Sequence, residues 1–309
     1  LIQGEKELIS TYAKVKVFSM LKDTLFPTKI TLRLHDRCLS LAEPVVMGIL
    51  NLTPDSFFED SRIVVSDTFF ADNLLSKAEK MLDEGATMLD LGAYSTRPGA
   101  VEVSAGAEVD RLLSALELLR KNFPTAVLSI DTFRASVARQ AITAGGHLVN
   151  DVSGGTLDPE MFQTVANLQV PYILMHMRGT PANMQQLTSY QQLETEVAAH
   201  LFNRAAELHA LGLQDVILDP GFGFAKTLEQ NFRLLHQLTT FCDLGYPLLV
   251  GLSRKSMIYR TLGTDAAGAL NGTTALNTIA LTKGARILRV HDVQPAMEAI
   301  QLWRQFENN

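Results

Sequence analysis

From about residue 45 onward the sequence keeps one rhythm. Eight short runs rich in Val, Ile and Leu (PVVMGI, ATMLDLG, AVLSID, HLVND, PYILMH, DVILDP, PLLVGL and ARILRV) are each followed within a few residues by Gly, Asn, Asp, Ser or His. Helical patterns fill the gaps, among them SAGAEVDRLLSALELLRKN and SYQQLETEVAAHLFNRAAELHALG. Several of them end at Gly, which closes helices by adopting the left-handed conformation. Strands that are apolar on both faces need cover on both faces, as a parallel sheet under a coat of helices provides. Eight strands, each followed by a helix, is the count of an α/β fold of the (β/α)8, or TIM barrel, type. The competitor, an open doubly wound sheet, would place a Gly-x-Gly-x-x-Gly turn after an early strand, whereas the first strand here runs into NLTPDSF. Before it, KITLRLHDRCLSL alternates in part between polar and apolar residues and predicts a short N-terminal β-hairpin capping the barrel floor. Residues 1–26 are expected to form a loosely attached extension of unassigned role, and residues 27–309 the barrel domain.

Composition narrows the function classes. Lys and Arg total 27 against 33 for Asp and Glu, a formal charge of −6, which argues against a nucleic-acid surface but leaves room for a small anionic substrate held by a few local cations. The two cysteines, Cys38 and Cys242, have no ligand-like spacing. Neither a disulfide framework nor a zinc knuckle is therefore expected, and a reducing, cytoplasmic setting is. No apolar run is long enough for a membrane span, and the first residues lack the pattern of a secretory signal.

In such a barrel the C-terminal ends of all strands open on one face, where function sits. The residues at those ends are Asn51, Thr96, Arg97, Asp131, Asn150, Asp151, His176, Asp219, Ser253, Arg254, Lys255, Arg289 and His291. Any one of them has a bland use in a cap or an Asx-turn. Together, at the ends of apolar strands, they cost free energy unless they pair with each other or with a ligand. Arg289 and His291 stand two apart and leave the strand on the same side, so with Arg97 they suit an anion; the bland use of His291 is a loop carbonyl or Asp292. Asp131, Asn150 and Asp219 should converge on the barrel centre. Carboxylates that only accept, beside an amide that donates and accepts, match the edge of a flat guanine-like or pterin-like heterocycle. Lys255 would donate to the same ring, or else sit in solvent at a helix start, where a cation is disfavoured. Phe222 and Phe224 serve equally well as a ring cover or as core, and His176 is expected on the pocket wall. No nucleophile–base–orienter set or zinc-type cluster appears, and DPGFGF lacks the GK[ST] of a P-loop. The chemistry most compatible with these groups is displacement of a phosphate-type leaving group, with Asn51 and phosphate oxygens suited to Mg²⁺ and TPDSF forming a mobile lid beside them.

MGILNLTPDSF, STRPGA, SIDTFR, NDVSGG, LMHMRGTP, ILDPGFGFAKT, GLSRKSM and LRVHDV follow one another in the order of a known family. Over roughly residues 30 to 305 the chain resembles dihydropteroate synthase. The resemblance implies a TIM barrel, a homodimer, and the joining of a 7,8-dihydropterin carrying a hydroxymethyl diphosphate to p-aminobenzoate with release of pyrophosphate, aided by Mg²⁺. It implies a pterin pocket of Asp131, Asn150, Met175, Asp219, Phe224 and Lys255. Asn51 would hold the metal and, with Arg97, Arg289 and His291, the diphosphate. Thr96, Arg97, Pro98 and Ser256 would meet p-aminobenzoate, and Asp131, Lys255 and Arg97 would act in the reaction, Asp131 by stabilising a pterin cation. Departures from the family pattern fall at SFFEDSR, at Tyr94 where Glu is common and at Ala225 where Gly is frequent; none removes a group with a named role. The rival barrel, a methyl-transferring pterin binder, would not need STRPG together with RVH.

Overall fold

The computed structural model describes residues 30–52, 67–94 and 103–309. Residues 1–26, the TPDSF segment and Thr96, Arg97 and Pro98 lie outside them. Every apolar run named above supplies a strand: β3 (Val45–Asn51), β4 (Met88–Gly92), β5 (Val127–Asp131), β6 (Leu148–Asp151), β7 (Tyr172–Met175), β8 (Val216–Asp219), β9 (Leu249–Val250) and β10 (Ile287–Val290). They pair in parallel in the order β8-β7-β6-β5-β4-β3-β10-β9. A parallel bridge between Leu218 and Leu248 joins the two ends and closes the barrel. Helices stand between successive strands as the periodicity predicts. Asp67–Asp83 and Ala105–Asn122, for example, separate β3, β4 and β5, and the second starts on Ser104, whose side chain accepts the Ala107 N–H.

Strand side chains alternate between faces, and here the alternation sorts chemistry. Met47, Met88, Val127, Leu148, Ile173 and Ile287 point inward and form an apolar layer at the base. Their neighbours Val46, Leu89, Leu128, Val149, Leu174 and Leu288 belong to the outer core shared with the helices. Two residues above the inward base layer come Asp90, Ser129, Asn150 and Arg289, so a polar layer rests on an apolar one.

The expected hairpin closes the bottom. Thr31–Arg33 (β1) and Cys38–Ser40 (β2) pair antiparallel, with Leu32 opposite Leu39. Leu32, Leu34 and Leu41 are buried against the base layer, each such leucine contributing about 1.5–3 kcal/mol through removal from water. The barrel is therefore sealed at one end and open at the other.

Candidate functional site

The polar layer is organised around Asp90, a fully buried carboxylate in the middle of β4. Its Oδ2 accepts from Arg289 Nε at 2.6 Å and from Asn150 Nδ2 at 3.0 Å. Arg289 turns its Nη2 to Asp131 Oδ2 at 2.7 Å. One guanidinium on β10 thus bridges carboxylates on β4 and β5, and the Asn150 amide on β6 is oriented by the same acid. Burial pushes the Asp131 carboxyl up to about 7; Arg289 pulls it down, and the negative charges of Asp90, Glu108 and Asp151 push it further up. Burial opposes the Arg289 charge, but Asp90 and Asp131 together hold its pKa above the ordinary arginine range.

The opposite wall carries a second group. Asp219 ends β8 and is buried, its Oδ1 accepting the Gly221 N–H at 2.8 Å. Burial raises its pKa, while Lys255, the Gly221 N–H and Arg289 lower it. Lys255 stands at the N-cap of the helix Ser256–Leu262, donates to the Phe222 carbonyl and lies 5.0 Å from the centroid of the Phe224 ring. Burial lowers its pKa to about 8, against the pull of Asp219 and with the help of Arg289. Three carboxylates and two cations therefore face one space, with the Asn150 amide among them.

At the rim, Asn51, Gly92 and Asp131 are register neighbours on β3, β4 and β5. A Cβ placed on Gly92 would lie 3.5 Å from Asp131 Oδ2 and 3.8 Å from Asn51 Oδ1. The missing side chain leaves an amide oxygen and a carboxylate oxygen flanking one open spot. These are hard donors of the kind Mg²⁺ takes when phosphate and water complete its shell; among the described residues no group of three or more His, Cys, Asp or Glu could hold a metal by itself. His291 Nδ1 lies 3.0 Å from Ser253 Oγ, which also accepts the His291 backbone N–H. Met175, 3% exposed, and the partly buried Phe224 belong to a small apolar cluster beside the mouth, and Ser256 opens the helix that Lys255 caps.

Other strand-end residues have different work. His176 does not line the pocket wall: Met175 takes the inward position, so the next side chain turns outward, where it is buried against Lys226, His200 and Tyr190. Asp151 accepts the Ser153 and Gly155 N–H groups and the Tyr172 hydroxyl, the hydrogen bonds of a loop anchor. Arg254 makes a two-pronged pair with Asp292 at 2.8 and 2.9 Å. Phe222 is fully buried in the outer core, which leaves Phe224 as the aromatic beside Lys255. Asp90 and Lys226 are polar groups of this region that a survey of strand ends passes over.

A family model for pterin binding enzymes matches residues 47–291. The dihydropteroate synthase of Haemophilus influenzae is 40% identical over 276 residues, covering 89% of this chain and 98% of that protein. Among solved structures, a Yersinia pestis dihydropteroate synthase with a sulfonamide drug complex aligns with a TM-score of 0.82 at 38% identity, over 90% of this chain and 100% of that one. A Xanthomonas albilineans dihydropteroate synthase in complex with 7,8-dihydropteroate aligns with a TM-score of 0.80 at 32% identity, over 90% and 99%. The chain belongs to the pterin-binding enzymes. Its relatives narrow that class to the dihydropteroate synthases, transferases of folate biosynthesis that condense 6-hydroxymethyl-7,8-dihydropterin diphosphate with p-aminobenzoate to 7,8-dihydropteroate and pyrophosphate.

Proposed function

We propose that this chain performs the dihydropteroate synthase reaction in the barrel mouth, with the residue roles that follow. The Asp90–Arg289–Asp131 bridge facing the Asp219–Lys255 pair is the observation that carries the reading. A pterin edge needs acceptors for its ring N–H and amino groups and donors for its carbonyl and ring nitrogens. Asp131, Asn150 and Asp219 supply the acceptors, Lys255 and the Asn150 amide the donors, while Met175 and Phe224 cover the ring. As the bond from the pterin methylene to the diphosphate oxygen breaks, positive charge grows on the pterin. The Asp131 carboxylate, partly buried at the barrel mouth, stabilises that charge electrostatically. The amine nitrogen of p-aminobenzoate then forms the new C–N bond and gives up one proton to water or the released pyrophosphate, and no covalent enzyme intermediate is required.

Arg289, His291 and Arg97 hold the leaving diphosphate; Thr96, Arg97, Pro98 and Ser256 receive p-aminobenzoate. Asn51 would hold Mg²⁺ with diphosphate oxygens, and the ion, when bound, would neutralise charge on the leaving group. The enzyme acts as a cytoplasmic homodimer. Exposed Leu262, Ile279, Leu302 and Phe306, on three successive C-terminal helices, support the dimer. Among the described residues no helix is long and apolar enough to cross a membrane.

The test is pyrophosphate release from the pterin diphosphate and Mg²⁺, with and without p-aminobenzoate. Release that depends on the amine, with dihydropteroate identified by mass, is the expected result. Folded protein that binds the pterin but gives no amine-dependent release would overturn the assignment.

A further inference from the structure

Lys226 has no part in the chemistry above, yet its side chain fills the centre of the loop that joins β8 to the next helix. It is 3% exposed. Its Nζ donates to the carbonyls of Gly221 and Phe224, each at 2.9 Å, and lies 3.1 Å from His176 Nδ1. Burial lowers its pKa to about 7 against the pull of Asp219; in its ammonium form it has three donors and no acceptor, and these partners use that whole capacity. The third contact requires a neutral imidazole, and His176 is held neutral: burial, then the charge of Lys226, keeps its pKa well below the ordinary range.

The loop itself is shaped to feed that side chain. Gly221, Gly223 and Ala225 take φ of 73°, 82° and 50°, so every second residue is left-handed. The chain reverses within these few residues, and its carbonyls leave the strand ladder for side chains. Those of Gly221 and Phe224 go to Lys226, and that of Phe222 goes to Lys255. A Cβ on Gly221 would lie 2.0 Å from the His176 carbonyl oxygen, so this turn is pressed against the end of β7 and only glycine fits. Two lysines therefore grip one short loop from opposite sides, Lys255 from the mouth and Lys226 from the barrel wall. The loop between them carries Asp219, hydrogen-bonded to Gly221, and the Phe224 ring.

We infer that Lys226 is a positioning residue for the pterin: by holding the Gly221 and Phe224 carbonyls from behind, it sets the Phe222 carbonyl, the Phe224 ring and Asp219 where Lys255 and the heterocycle meet them. The inference rests on the pterin roles proposed for Asp219, Phe224 and Lys255. A side chain that served stability alone would, when removed, lower the melting temperature and disturb both substrates alike. A positioning role separates them.

The experiment is Lys226→Met beside Lys226→Arg, each checked for fold by circular dichroism. KM is measured for the pterin diphosphate and for p-aminobenzoate at saturating co-substrate, and pterin-diphosphate affinity by calorimetry with Mg²⁺. Lys226→Met is expected to weaken pterin-diphosphate binding on the order of tenfold, equivalent to about 1.4 kcal/mol, with KM for p-aminobenzoate unchanged and partial recovery in Lys226→Arg. Unchanged pterin affinity, or an equal rise in both KM values, overturns the inference. Should Lys226→Met not fold, Lys226→Gln is read by the same split. Lys255→Ala is the companion: if it too binds the pterin normally, the pterin reading itself fails, and if it alone loses the pterin, only the role of Lys226 falls.

Discussion

Asp90→Asn asks whether a carboxylate that touches no proposed substrate sets the ionisation of one that does. The substitution keeps the shape. An amide oxygen at the position of Oδ2 still accepts from Arg289 Nε and Asn150 Nδ2, now at 2.6 and 3.0 Å from a carboxylate. Hydrogen bonds to charged groups contribute about 1.5–3 kcal/mol and neutral ones about 0.5–1.5, so each bond loses about 1 kcal/mol. The new NH2 falls where Asp90 Oδ1 already lacks a partner, and one orphaned atom replaces another. Arg289 keeps Asp131 at 2.7 Å, so no cation is stranded and the cost stays below the roughly 3–5 kcal/mol of breaking a buried pair. The net loss is about 2 kcal/mol, or a melting temperature lower by about 4–8 °C. The electrostatic effect has a definite sign. The charge of Asp90 helps to raise Asp131 from 3.8 to about 7, so removing it leaves Arg289 less opposed and the Asp131 pKa falls. A carboxyl with a raised folded pKa costs the fold nothing below its unfolded pKa; the cost grows as pH rises above that value and is complete once pH has passed the folded one. In Asp90→Asn that window closes at lower pH. The assay is kcat/KM for the pterin diphosphate across the neutral range, with scanning calorimetry on the same samples. An acidic limb that moves to lower pH, beside the modest loss of stability, is expected. A limb that stays near 7 while stability drops would refute the coupling of Asp90 to Asp131.

In the unsubstituted protein, kcat/KM for the pterin diphosphate should rise through about pH 7 as Asp131 ionises and fall through about pH 8 as Lys255 loses its proton. Lys255→Arg should carry the descending limb to higher pH and leave the ascending one in place; a fixed descending limb would remove Lys255 from the profile. At the other end of the barrel, Leu32→Ala should cost about 2–5 kcal/mol in urea unfolding, with both KM values unchanged at temperatures where the variant is folded. A raised KM would show that floor and mouth are mechanically linked.

The strands were legible because a parallel barrel strand is covered on both faces, and a run such as PYILM has no other comfortable place in water. Their ends were legible for the same reason reversed: Asp131, Asn150, Asp219 and Arg289 interrupt apolar runs, and the structure sets them facing one space. What a survey of ends cannot supply is parity. Met175 and His176 are adjacent, and the step of one residue that puts the methionine beside the mouth puts the histidine in the outer wall. Parity would also have found Asp90. Inward Met88 at the base and Gly92 at the rim fix the residue between them as inward too, and MLDLG places an acid there with no water to solvate it. Such an acid implies a cation reaching it across the barrel interior, and Arg289 on β10, beyond β3 and two above inward Ile287, is the one at matching height. Lys226 was hidden for a different reason. Two of its three partners are main-chain carbonyls, which every residue has, so no side-chain pattern announces them. What the sequence does carry is the alternation of Gly221, Gly223 and Ala225, residues with little or no side chain at the positions that go left-handed. A loop that spends its small residues in that way reverses sharply, and the buried lysine that follows it receives two of the carbonyls the turn takes out of the strand ladder.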